Sequence, residues 1–244
     1  MGFWSGLWAF FTTAANWSGP DGIWARLVVQ VELSALVVAV AAVVGIGIGF
    51  TLGHFGRGGV VALNASNAAR AIPSLALLTL LAIWPVVGLR NGGEAAAALT
   101  LIALALPPIL TNAYVGMREV SPDVREAARA SGMTRWQRLW RAEVPLALPL
   151  AVAGLRTAAV EVVATSTLAA YVTVNDLGEY IFAGLSTQNS VETVAGAILV
   201  ALLSLLADLA VLGLSRLVIP EPLRNQGLSR PGKSTPGALV GSTG

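Results

Sequence analysis

A run of apolar residues too long for any soluble core most constrains this chain. From about 27 to 53 the only ionisable side chain is Glu32. Spanning the hydrocarbon of a bilayer takes roughly 20 apolar residues in a helix. Comparable stretches recur at about 95–117, 146–171 and 193–218. A further stretch at about 59–89 has a polar first half (Asn64, Ser66, Asn67, Arg70) and Pro73 inside it. We read it as one long helix bent at Pro73, its polar half shielded by protein or reaching toward water. The fold class expected is all-α: a polytopic membrane protein with five core transmembrane helices. Charged residues make up only 11% of the chain, too few to hydrate a soluble surface, and the mean hydropathy is +0.74.

Three boundaries follow. Residues 1–26 form an N-terminal segment too short and too aromatic to cross (Trp4, Trp8, Trp17), expected at the interface. Residues 27–218 hold the spans. Residues 219–244, rich in Pro, Gly and Ser, read as a disordered cytoplasmic tail. The first basic residue is Arg26, so insertion is expected to use an uncleaved apolar segment. Orientation comes from Lys and Arg. With the N-terminus outside, one side collects Arg57, Arg118, Arg125, Arg129, Arg135, Arg138, Arg141, Arg216, Arg224, Arg230 and Lys233, while Arg26 and Arg90 lie opposite. The positive-inside rule puts the 118–141 loop and the C-terminus in the cytoplasm of a cell-membrane protein. Splitting the second helix at Pro73 into two spans would move only the N-terminus.

Sequence chemistry excludes several functions. Without cysteine there is no disulfide or thiolate metal site. His54, the one histidine, has no neighbouring carboxylate in sequence and reads as a polar residue at a membrane boundary; no metal site is expected. A net charge of +2 lends no support to nucleic-acid binding. The stretch Gly227 to Ser234 fits the phosphate-loop pattern, but no strand feeds it and Pro236 follows at once, so it is not read as a nucleotide site. No cofactor is implied.

The longest hydrophilic stretch between spans, 118–145, is patterned like a helix. Ser121 can cap it, with Pro122 at its first position and Asp123 in the first turn. Val124, Ala127 and Ala128 form one face, and Arg125 and Arg129 another. Gly132 interrupts, a second amphipathic turn carries Trp136 and Trp140 among arginines, and Pro145 is expected to stop it. By itself this describes an interfacial helix held by anionic membrane lipid. The spacing of Glu126, Ala127, Ala128, Gly132 and Pro145 says more. It resembles the EAA-x3-G-x9-I-x-L-P loop of binding-protein-dependent ABC importer permeases, with Ala142 and Val144 in place of the usual Ile and Leu.

The resemblance covers about 27–220. The run Ala71-Ile72-Pro73-Ser74-Leu75-Ala76-Leu77-Leu78 looks like the TIPSLALL stretch of the osmoprotectant permeases. Gly154-Leu155-Arg156-Thr157 is similar to their G-[IL]-R-T segment, and the stretch 177–185 to their LGDYIFIGL. Two departures stand out: Val172-Thr173-Val174-Asn175-Asp176 replaces a glycine cluster, and Gln30 stands where many members have histidine. The resemblance implies a type I ABC importer permease fold with a cytoplasmic coupling helix. It implies an ABC ATPase subunit docked on Glu126, Ala127, Ala128, Gly132, Trp136 and Pro145. It also implies a second permease copy or sister permease, an extracytoplasmic solute-binding protein, and import of glycine betaine, choline or carnitine. The chain would hydrolyse no ATP itself.

Ionisable residues inside spans are costly and face protein or water. Glu32, Arg156, Glu161 and Asp208, with Pro73 and Ser74 at the bend, are therefore candidates for the translocation path or a gate. Arg156 can pair with Asp208 or with Glu161. Quaternary amines favour aromatic faces, but Trp84, Tyr114, Tyr171 and Tyr180 are scattered and define no cage. The competing class is an ion-coupled secondary transporter using Glu32, Glu161 or Asp208; no inverted repeat supports it. A membrane-bound enzyme would need clustered His, Cys or paired carboxylates, which the sequence lacks.

Overall fold

The computed structural model describes residues 2–56, 58–84, 93–172 and 174–218. Arg57, Arg90, the end of the second predicted span, and the 219–244 tail with its phosphate-loop-like pattern lie outside the described residues.

Among the described residues, four helical stretches are long and apolar enough to cross a bilayer. They are α2 (Ile23–Phe55), α5 (Glu94–Glu119), the stretch Arg135–Val172, and α10 (Ser190–Val218). The third of these contains α7 (Arg135–Arg138), a π turn (Leu139–Glu143), α8 (Val144–Thr165) and a 3-10 tail (Ser166–Val172). Shorter α-helices among the described residues are α1 (Phe3–Thr12), α3 (Gly59–Arg70), α4 (Ser74–Ile83), α6 (Pro122–Ala130) and α9 (Gly178–Ser186).

Small residues decide how the central helices meet. A Cβ on Gly45 would lie 2.9 Å from Ile109, and one on Gly49 would lie 2.6 Å from the Ala113 Cβ and 2.8 Å from the Leu110 carbonyl. Gly53 abuts Met117 in the same way. The stripe at four-residue spacing therefore brings α2 and α5 into backbone contact, as small-residue faces do in membranes. Both numberings rise together along this seam, so α2 and α5 run parallel. On the other face of α5, Gly154 of α8 sits where a Cβ would be 2.6 Å from the Pro108 carbonyl, and Gly116 sits against the Ala147 carbonyl. Here the numberings oppose, so α8 runs antiparallel to α5.

The core is layered along the bundle. One end holds Ile23, Val163, Leu177, Tyr180, Leu199 and Leu203; the middle holds Val37, Ala41, Leu101, Ala105, Ile109 and Val162. The opposite end holds Phe50, Met117, Leu139, Val144, Ala147 and Ala151. The first of these we call the outer end and the last the inner end. The N-terminal segment lies at the outer end, with Gly6 of α1 against Val191, Trp17 Nε1 donating to the Phe11 carbonyl, and Trp4 and Trp8 exposed.

The second predicted span is corrected. It is two helices, α3 and α4, whose axes differ by 83°. Pro73 breaks the helix instead of bending it: proline has no N–H to donate and disfavours helical backbone at Ile72. Pro73 itself is extended, at φ −59° and ψ 120°. The pair still travels along the bundle. Gly59 touches Tyr114, and Leu78 packs with Ala96 and Ala97. Those positions on α5 are roughly 25 Å apart at the helical rise.

Pro145 is corrected too. It does not stop a helix; it occupies the first turn of α8, where a missing N–H costs little. The π turn before it carries the Val144 N–H to the Leu139 carbonyl, so the helix continues through the proline.

Candidate functional site

The segment joining α5 to α8 is built as a self-contained helix. Ser121 Oγ accepts from the Asp123 N–H, and Pro122 opens α6. At the other end Gly132 adopts φ +75°, its N–H donates to the Arg129 carbonyl, and the Met133 N–H donates to Ala128. This left-handed closure satisfies the last carbonyls and favours glycine. Thr134 and Gln137 then form a capping box that opens α7.

Exposure divides these residues. Glu126, Ala127, Gly132 and Trp136 are exposed, Pro145 is half-buried, and Ala128 is buried. The exposed surface of α6 thus sets Ala127 and Ala130 among the charges of Asp123, Glu126 and Arg129. Of the face formed by Val124, Ala127 and Ala128, Ala128 is buried, Val124 half-buried and Ala127 exposed. Arg125 turns inward: its Nη2 donates to the Met117 carbonyl at 2.5 Å.

Arg125 turns because of Glu143, which the sequence reading passed over. Its side chain is 1% exposed. Oε1 accepts from Arg138 Nε at 3.0 Å, and Arg125 Nε stands 3.7 Å away. Oε2 lies 2.5 Å from Nδ1 of His54, at the end of α2. One buried carboxylate therefore ties the last turn of α2, α6 and α7 to the root of α8. His54 has a carboxylate partner after all, one 89 residues away. The available signal was a glutamate set directly before Val144-Pro145 at the start of an apolar span.

The intramembrane candidates separate into groups. Arg156 pairs bidentately with Asp208, Nε to Oδ1 and Nη2 to Oδ2 at 2.6 Å, choosing Asp208 over Glu161. Glu161 lies in the same open groove of about 700 Å³, together with Arg70 of α3 and Thr157. Two basic and two acidic residues from α3, α8 and α10 thus line one face of the bundle. Glu32 is exposed on α2 and lines no part of that groove. Ser74 opens α4 at a separate small crevice with Leu78, Thr100 and Thr165, and Pro73 beside it is exposed.

At the outer end Gln30 is fully buried. Its Nε2 donates to the Val163 carbonyl at 2.9 Å and its Oε1 accepts from the Leu177 N–H at 3.2 Å. Asp176, also buried, caps α9 by accepting from the Gly178 N–H at 2.8 Å. Burial pushes the Asp176 carboxyl up to about 7, against the opposing pull of that hydrogen bond and of Arg26.

Comparison with known proteins agrees with this architecture. The chain is 31% identical over 192 residues to the glycine betaine/carnitine/choline transport system permease protein OpuCB of Bacillus subtilis, covering 79% of this chain and 86% of that one. It is 34% identical over 197 residues to the carnitine transport permease protein OpuCB of Listeria monocytogenes, covering 80% and 86%. It is 31% identical over 193 residues to the osmoprotectant import permease protein OsmW of Salmonella typhimurium, covering 79% and 89%. The fold is similar to that of a chain in the inward-facing MetNI methionine ABC transporter, with a TM-score of 0.67, 22% identity, and coverage of 81% of this chain and 96% of that one. Residues 41–221 match the binding-protein-dependent transport system inner membrane component, and the chain, a multi-pass membrane protein, belongs to that family.

Proposed function

We propose that this chain is the permease subunit of an ATP-driven importer of glycine betaine, choline, carnitine or a related osmoprotectant. The observation that carries the reading is the α6–α7 segment: a separately capped helix presenting Glu126 and Ala127 to solvent, anchored from beneath by Glu143. Ala127 and Ala130, small and exposed, let a partner approach closely, and the anchor passes its movement to the ends of α2 and α8. An ABC ATPase subunit docks there, contacting Glu126, Ala127, Gly132 and Trp136, with Ala128 and Pro145 holding the helix in place. ATP is hydrolysed on that subunit.

In this reading the inner end of the bundle, α6–α7 and the C-terminus face the cytoplasm, as the arginine asymmetry supports. Residues 1–26 rest at the outer interface, 27–218 form the permease domain, and 219–244 form a cytoplasmic tail. A second permease copy or a sister permease faces the groove of Arg70, Arg156, Glu161 and Asp208, so that the solute path forms between two chains. Glu32 on α2, and Pro73 and Ser74 at the α3–α4 break, lie outside that groove and border the path elsewhere in this reading. An extracytoplasmic solute-binding protein delivers the solute to the outer end. The osmoprotectant class is supported by the names of the relatives above and by the Ile72-Pro73-Ser74-Leu75 run.

The test is co-purification of the solubilised chain with the products of its neighbouring genes, scored for an ABC ATPase and comparing wild type, Gly132→Ala and Gly132→Trp. A Cβ on Gly132 meets nothing within 4 Å, so both variants strain the backbone alike and only Trp projects into the docking space. The expected result is ATPase retained by wild type and Gly132→Ala and lost by Gly132→Trp. Wild type that purifies alone and carries solute down an ion gradient would overturn the proposal in favour of a secondary transporter. Uptake of labelled glycine betaine, choline and carnitine by the reconstituted complex then assigns the solute.

A further inference from the structure

A cleft at the inner end of the bundle shares His54 and Arg138 with the Glu143 anchor and Trp136 with the docking face, and the rest of its lining has no role in the scheme above. It opens between the last turns of α2 and the α6–α7 segment. Its wider part, about 640 Å³, is lined by His54, Phe55, Arg129, Arg135 and Arg138. A narrower part of about 260 Å³ continues along α2 past Thr51 and is lined also by Trp136 and Leu139. His54, Phe55 and Arg135 border both parts, so the two form one amphipathic channel.

The charge in its wider part is unbalanced. Glu143 accounts for His54 and for Nε of Arg138. Among the described residues, neither Arg129 nor Arg135 has a carboxylate within ion-pair distance. Two guanidinium groups thus face a cavity with no counter-charge in the described chain, and guanidinium suits the oxygens of a phosphate. Beside them the apolar part leads toward the spans, with Phe55 58% exposed and Trp136 68% exposed. Exposed tryptophan at the end of a span marks headgroup depth. A soluble anion would use the basic part and leave the apolar part wet. An acidic loop of a partner protein would do the same.

We propose that this cleft binds an anionic phospholipid of the inner leaflet, its phosphodiester held by Arg129 and Arg135 and one acyl chain laid along Thr51, Phe55 and Leu139. Basic pockets between helices on the cytoplasmic side are suited to such headgroups. The inference rests on the cytoplasmic placement of α6–α7 proposed above, but not on ATPase docking. The lipid would wedge between α2 and the coupling segment, so its presence sets how firmly the two move together.

The experiment uses the full chain without its partners, exchanged into micelles with equal phosphatidylglycerol and phosphatidylcholine, and counts retained lipids by native mass spectrometry. Wild type is expected to retain phosphatidylglycerol selectively. Arg129→Gln with Arg135→Gln lowers that retention about 30-fold, at roughly 1 kcal/mol for each arginine near a headgroup. Thr51→Phe, which fills the apolar part and leaves the charges, also lowers it. Arg141→Gln removes an exposed arginine that does not line the cleft and leaves retention unchanged. Equal loss with Arg141→Gln would overturn the site in favour of general surface attraction. Displacement by inorganic phosphate together with an unaffected Thr51→Phe would reduce it to a free-anion site. Lipid retention that survives the double substitution while ATPase co-purification fails would assign the cleft to the partner protein. Loss of lipid selectivity does not bear on the Gly132 test, so the two proposals fail separately.

Discussion

Replacing Glu143 by alanine should release the α6–α7 segment from the bundle while leaving the spans folded. The carboxylate is 1% exposed, and its partners His54 and Arg138 are 5% and 10% exposed at their side chains. Removing one member of a buried ion pair costs about 3–5 kcal/mol, because the remaining charges lose their counter-ion in a poorly hydrated place. The lower end applies here. Arg138 borders the open cleft, where water gives it partial relief. About 3 kcal/mol corresponds to roughly a hundred-fold change in an opening equilibrium. The opening is local, because α6 has its own caps and meets the bundle through Ala128, Arg125 and the Glu143 cluster. Hydrogen exchange of the α6 amides, measured in nanodiscs, should therefore speed up about a hundred-fold in Glu143→Ala, with α2 and α5 unchanged. Glu143→Gln keeps an acceptor for Arg138 and should lie between, within about tenfold of wild type. If α6 exchange in Glu143→Ala stays within about threefold of wild type, the caps alone hold the segment and the anchoring argument is refuted.

Three further outcomes follow from particular contacts. Gly49→Ala places a methyl 2.6 Å from the Ala113 Cβ and should cost about 1–3 kcal/mol as α2 and α5 are forced apart, whereas Gly47→Ala, with nothing within 4 Å, should be neutral or stabilising; thermal unfolding in one detergent compares them. Asp176 has its carboxyl raised from 3.8 to about 7, so the folded chain holds a proton the unfolded chain has already released. Stability should be greatest below about pH 4, decline as pH rises to about 7, and then level off, and Asp176→Asn should remove that slope in unfolding midpoints taken from pH 4 to 8. Arg156→Gln and Asp208→Asn each strand one intramembrane charge, so each should reduce the folded yield more than the double substitution does, and a double-mutant cycle on yield and uptake reads the coupling directly.

Sequence periodicity located the long helices well, because apolar length is set by the membrane and needs no knowledge of neighbours. The stretches read at 95–117 and 193–218 are Glu94–Glu119 and Ser190–Val218 in the structure. Gly45, Gly49 and Gly53 stand four residues apart within one apolar run, a local spacing, and α5 packs against all three. The cap at Ser121 and the break at Gly132 were legible for the same reason: each depends on residues within one turn. What escaped depended on distance along the chain. Gln30 bonds to a carbonyl 133 residues away, and nothing near it in sequence announces that partner. Periodicity puts Arg125 and Arg129 on one face, yet Arg129 is exposed while Arg125 is half-buried beside the Glu143 carboxylate. Proline misled twice for one reason. Its missing N–H is severe at Pro73, where two helices must meet, and nearly free at Pro145, in a first turn behind a π turn.

These details divide the molecule into a stiff part and a yielding part. Along α2, α5 and α8 the backbones meet through Gly45, Gly49, Gly116 and Gly154, and close-packed contacts of this kind do not deform gradually. The α6–α7 segment joins that block through Glu143, His54, Arg138 and Arg125, so a force on its exposed face reaches the roots of α2 and α8 together. By contrast α3 and α4 meet at 83° across residues 71–73, and α3 presents mostly exposed side chains. The groove of Arg70, Arg156, Glu161 and Asp208 lies where α3, α8 and α10 border one another. A partner pulling on α6 would therefore move the three-helix block as one body, and the change in shape would collect where packing is thinnest, at the α3–α4 break and the charged groove. If so, spin labels on α2 and α8 should keep a fixed separation through an ATPase cycle, while labels on α3 and α8 across the groove change theirs. A cycle in which the α2–α8 distance moves as much as the α3–α8 distance would show that the glycine seams slide, and the block described here would not be the moving unit.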